Sequence, residues 1–194
     1  MSTPQTVIAF AGHERIAAGD IAHVTAHVTR AMKRAPHRAP ILVFDAVTGD
    51  QIDLDLRDKK QTSPQHRSVE RDAPADEQAR GPGRPKLGVV AREVTLLPRH
   101  WNWLVSQPGG ASVALRKLVE HAMRANAGRD RVRAAQNAAY RFISVMAGNR
   151  IGFEEAARAL FAGDGEKFRR LADAWPKDIR DLAVTLAADA FQGL

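Results

Sequence analysis

Ten lysines and arginines fall between residues 87 and 150: Arg92, Arg99, Arg116, Lys117, Arg124, Arg129, Arg131, Arg133, Arg141 and Arg150. Only Glu93, Glu120 and Asp130 oppose them there. The chemistry open to such a set is charge-assisted hydrogen bonding to phosphate oxygens rather than bond making or breaking. Residues 57–86 add eight bases and five acids, while 1–56 sums to −1 and 151–194 to −2. The net charge of +7 is therefore confined to the middle of the chain. A charge held on one segment marks a polyanion contact, whereas the same charge spread evenly serves solubility. DNA is the expected partner, and the charge pattern alone does not separate it from RNA.

Residues suited to catalysis are scattered rather than convergent. His23 and His27 stand four apart on one predicted helix, but Val24, Thr25 and Ala26 lie between them, so no HExxH pattern follows. Asp45, Asp50, Asp53 and Asp55 lack the spacing of a calcium loop, and strand polarity accounts for Asp53 and Asp55. Glu154 and Glu155 sit at a helix start, where the helix dipole stabilises them. His100 lies beside Arg99, Trp101 and Trp103, yet a helix face of Trp101, Leu104 and Val105 is read as core. With no cysteine in the chain, thiolate zinc sites, disulfides and cysteine nucleophiles are excluded. No phosphate-cradling loop and no nucleophile elbow is present. An enzyme, a metal site and a cofactor are therefore not expected.

The elements that must position the bases run strand, helix, break, helix. Arg92 to Leu97 is short and rich in β-branched and apolar residues, and Pro98 ends it. Arg99 to Val105 reads as two turns of helix, stopped by Pro108-Gly109-Gly110. Ser112 is the expected N-cap of a helix over Val113–Ala125, with Leu115, Leu118, Val119 and Ala122 on its apolar stripe. This layout resembles the ribbon-helix-helix DNA-binding dimers. The resemblance implies a homodimer whose paired strands enter the major groove, where base edges differ. Two registers stay open, since a strand alternates its faces every second residue. One turns Arg92, Val94 and Leu96 toward DNA; the other turns Glu93, Thr95 and Leu97 outward. The alternative is a strand that joins the domain's own sheet.

Just upstream, Gly83-Arg84-Pro85-Lys86 resembles the core of an AT-hook, with Pro82 where that pattern prefers Arg. The resemblance implies an arm in a narrow minor groove, where negative potential attracts inserted arginine. The competing reading is the turn-rich end of a linker. Candidate nucleic-acid contacts are thus Arg84, Lys86, Arg92 and Arg99, with Arg116, Lys117 and Arg124 holding phosphates.

The flanks give an α+β chain. Residues 1–56 read as a small ββαββ unit, in which Val7–Phe10 and Arg15–Ala17 form a hairpin. Asp20 caps a helix to about Ala35, with Ile21, Val24, Val28 and Met32 on one stripe. Ile41–Phe44 and Ile52–Leu56 are strands about a turn at Thr48-Gly49-Asp50. Residues 57–86 form a linker, since Val69 is their one large aliphatic side chain. Residues 87–127 are the basic strand-helix-helix centre, and 128–194 a helical bundle. Within the bundle, Gly128 separates a helix over Arg131–Met146 from the preceding one. Helices follow at Phe153–Ala162, Glu166–Ala174 and from Pro176 onward.

No apolar run reaches membrane-spanning length, and Met-Ser-Thr-Pro-Gln is not the start of a signal peptide, so a cytoplasmic, nucleoid location is expected. The whole chain resembles a bacterial family, domain of unknown function 2239. The resemblance rests on Phe44-Asp45, Thr48-Gly49, Asp53 to Arg57, Gly83 to Val89, Val94 to Trp103 with Leu97-Pro98-Arg99-His100-Trp101, Gln107 to Leu118 and Phe153 to Leu160. It implies kinship and no particular activity. The function expected from the residues is DNA binding by a dimeric transcriptional regulator or nucleoid-associated protein. The alternative is a non-enzymatic adaptor or assembly protein whose basic stretch is merely solvated.

Overall fold

Alternation along the first strands dictates two apolar faces, and a computed structural model shows what each face packs against. The structure describes residues 5–34, 39–54, 90 and 92–192. Strands β1 (Thr6–Ala11), β2 (Glu14–Asp20) and β3 (Ile41–Asp45) form an antiparallel sheet in the order β2-β1-β3. Helix α1 (Ile21–Arg34) starts where the Asp20 carboxylate accepts the His23 N–H at 2.8 Å, as an N-cap should. Only Val24 and Val28 of its expected stripe are buried; Ile21 and Met32 stay exposed. After β3 the chain turns through Thr48-Gly49-Asp50. Gln51 makes one isolated bridge to Phe44, and the Ile52 N–H donates to the Val43 carbonyl at 2.8 Å. Among the described residues the fourth strand of the expected ββαββ order is reduced to that bridge.

The chain divides into two compact units, residues 1–57 with 121–194 and residues 58–120. In the first, Ile8, Phe10 and Phe44 on one sheet face enter the core of the C-terminal helices, while Val7, Ala9 and Val43 on the other pack with Val24 and Val28 of α1. Period-two alternation produces this split. The expected division between an N-terminal unit at 1–56 and a bundle at 128–194 is therefore replaced by one shared core. Its junction is aromatic: Phe142 lies 5.6 Å from Phe10 and 5.0 Å from Phe44, ring centre to ring centre. A hydrogen bond from the Arg15 N–H to Asp178 at 2.8 Å joins the same two regions.

Six helices and a terminal 3-10 turn are described. Beyond α1 they are α2 (Pro98–Ser106), α3 (Gly110–Met146), α4 (Phe153–Ala162), α5 (Gly165–Ala172) and α6 (Lys177–Leu186), before the turn at Ala188–Phe191. The expected break at Gly128 is absent, and α3 is one helix of 37 residues. A single glycine costs only about 1 kcal/mol in a helix interior, which the flanking alanine-rich turns outweigh. Left-handed glycines, Gly152 and Gly163, bound α4, and Asp164 caps α5 by accepting the Lys167 N–H at 2.9 Å. Pro176 precedes α6 as its N-cap instead of its first residue. Ile179, Leu182, Ala183 and Leu186 bury the α6 face that periodicity assigns to the core.

Candidate nucleic-acid interface

Pro98 fixes where the helical part of the second unit begins. Leu97 is held extended before it (φ −66°, ψ 149°), and its carbonyl accepts the His100 and Trp101 N–H groups. Proline's fixed φ suits the first helical position, so the Leu-Pro step converts an extended run into a helix at a defined residue. At the far end the Gln107 N–H donates to the Leu104 carbonyl, and the turn needs two successive positive φ angles, 86° at Gly109 and 74° at Gly110. Only glycine takes these without strain. Helix α3 thus starts at Gly110, and Ser112 lies inside its first turn instead of capping it.

Residues 92–97 carry no assigned strand in the single chain. Arg92 is exposed, and Leu96 alone of the six is partly buried. Arg99 is exposed on the first turn of α2, with its Nε 3.4 Å from His100 Nε2. Arg116 and Lys117 are exposed neighbours on α3, splayed by about 100°. The Arg116 Nε donates back to the Ser112 carbonyl at 3.1 Å. Arg124 is exposed as well, on the stretch of α3 grouped with the first unit. Arg84 and Lys86 lie outside the described residues. The second unit therefore presents Arg92, Arg99, Arg116 and Lys117 to solvent, on its extended run and both of its helices.

The apolar residues of this unit depart most from expectation. Of its described residues only Leu104 and Ala114 are buried. Trp101 and Val105, expected in the core beside Leu104, are 38% and 69% exposed, and Trp103 is 51% exposed. Val94, Leu97, Leu118 and Val119 are also open. Periodicity assigned Trp101 and Val105 to one helix face with Leu104, and Leu118 and Val119 to a stripe of the next helix. What it cannot supply is the surface that covers a stripe, and among the described residues these side chains are left uncovered.

Among the described residues no group of three or more His, Asp or Glu side chains is placed to hold a metal, although the His23 and His27 rings lie 4.7 Å apart. Among them no helix is long and apolar enough to cross a membrane.

A mixed α+β chain with a three-stranded antiparallel sheet, a mostly helical remainder and an exposed basic, apolar second unit is the class these features define. The chain belongs to the family domain of unknown function 2239, described as an uncharacterized protein conserved in bacteria, whose model matches residues 6–187. No curated protein and no solved structure matches it.

Proposed function

We propose that this chain is a DNA-binding protein that acts as a homodimer, in the manner of a transcriptional regulator or nucleoid-associated protein. The observation that carries the reading is the second unit, which buries two described residues while exposing four arginine and lysine side chains beside eight large apolar ones. Large apolar side chains exposed together in one unit mark an association surface. The run at 92–97 also has backbone groups that another strand would satisfy. A second copy meets both needs when the two runs pair as an antiparallel ribbon. Arg92 then reads base edges, Arg99, Arg116, Lys117 and Arg124 hold phosphates, and Arg84 with Lys86 follows the minor groove.

The experiment is sedimentation of the full chain at tens of micromolar, with and without a duplex. A dimer is expected, with Trp103→Glu shifting it toward monomer. A monomer that no duplex shifts would contradict the ribbon arrangement. The second reading, a protein adaptor, draws on the same exposed Trp103 and Val105. Retention on heparin with salt-graded gel shifts supports DNA binding; failure of both supports the adaptor.

A further inference from the structure

The first unit contains a cavity that the polyanion reading does not use. Helix α1 packs chiefly on β2 and β1. Among the described residues, the same sheet face at β3, with the chain from Gln51 to Leu54, is therefore left without a helix above it. The result is a cavity of ≈ 730 Å³ floored by Val28 and Val43 and walled by Ala31, Ile41, Ile52 and Leu54. Val28 and Val43 are buried, whereas Ile41, Ile52 and Leu54 are only half-covered. A volume of a few hundred to about 1,000 Å³ with mainly apolar walls and few polar groups is the usual build of a small-molecule site.

Arg34, Gln51 and Asp53 are its polar lining residues. Ile52 and Leu54 pack on the cluster that holds Val43, while Gln51 and Asp53 line the cavity from exposed positions. Asp53 is the acidic lining side chain, and three bases stand at the α1 end: Arg34 on the lining, Lys33 on the same final turn of α1 and Arg30 four residues before Arg34. Among the described residues none of these three forms a salt bridge with an acid. The helix C-terminus itself favours cations in that turn, which accounts for their presence but not for an apolar cavity opening beside them.

We infer that this cavity binds an amphiphilic small molecule with an apolar body and an anionic head, the body against Val28, Val43 and Ile52 and the head at Arg34. The site lies wholly in the first unit and is independent of the proposed DNA contacts, so its test uses no nucleic acid. Decanoate, decanol and decylammonium, each below its micellar concentration, are titrated calorimetrically into the full chain, and amide NMR shifts locate binding. Saturable decanoate binding is expected, about fivefold tighter than decylammonium, as an exposed charge contact allows, with shifts at Ala31, Ile41 and Ile52. Ala31→Trp fills the space and removes binding; Arg34→Glu reverses the order of decanoate and decylammonium. No saturable binding, shifts confined to residues 92–120, or unchanged binding by folded Ala31→Trp overturns the site. Equal affinity for the three compounds overturns the anionic head. Should Ala31→Trp not fold, the shift map on the natural chain decides.

Discussion

Asp45 shows how one side chain fixes a turn. It is buried, and its carboxylate accepts hydrogen bonds from Gln5 Nε2 and from the Val47 and Thr48 N–H groups, each at 2.8 Å. Burial pushes its pKa up, but the hydrogen bonds from Thr48, Gln5 and Val47 together outweigh burial and hold it below the usual 3.8. A depressed folded pKa stabilises the fold fully above the unfolded value and loses that contribution as pH falls through the folded one. Unfolding by urea from pH 6 to pH 2 should therefore show an acid loss of stability that Asp45→Asn lessens. Asp45→Ala should cost about 1–3 kcal/mol at neutral pH, because the part-buried hydrogen bonds of the Val47 and Thr48 N–H groups lose their charged acceptor. A Cβ on Gly49, at φ +67°, would stand 2.1 Å from the Ala138 carbonyl oxygen, so the turn needs glycine there to approach α3. The turn itself was legible in Thr48-Gly49-Asp50. Asp45 as its anchor was not, since Gln5 is 40 residues away and local spacing does not encode that contact.

The helices were read more reliably than their joints. Apolar spacing located α1, α4 and α6 within a few residues, and Asp20 gave the start of α1. Gly128 misled because propensity is a weak force beside the flanking helical turns. Proline separates the two readings. In the continuous α3, Gly128→Pro removes a helical hydrogen bond and clashes with the preceding turn, costing about 3 kcal/mol or more. Urea unfolding should show that loss, and circular dichroism a fall in helix content. A variant as stable as the parent would mean the chain breaks at Gly128 after all. The same helix explains why the basic residues were found but not their setting. Arg116 through Ala125 are all exposed, so on α3 no packing face distinguishes bases from the apolar Leu118, Val119 and Met123 among them.

At the scale of the whole chain, charge asymmetry was visible in composition, while the shared core was not. Periodicity shows that Phe10, Phe44 and Phe142 each face inward; nothing in it says they face one another across about a hundred residues. Phe142→Ala should cost about 3–5 kcal/mol. It should unfold sheet and helices in one transition, seen as coincident loss of near-ultraviolet and far-ultraviolet dichroism, whereas two transitions would restore separate N- and C-terminal units. The proposed DNA binding is tested most directly by the salt dependence of duplex affinity, measured by fluorescence anisotropy. If about five phosphates are neutralised, log K against log salt should slope near −4 to −5, and replacing Arg116 and Lys117 together with alanine should flatten it. A slope near zero, or no binding at low salt, would contradict a polyanion interface in the basic centre.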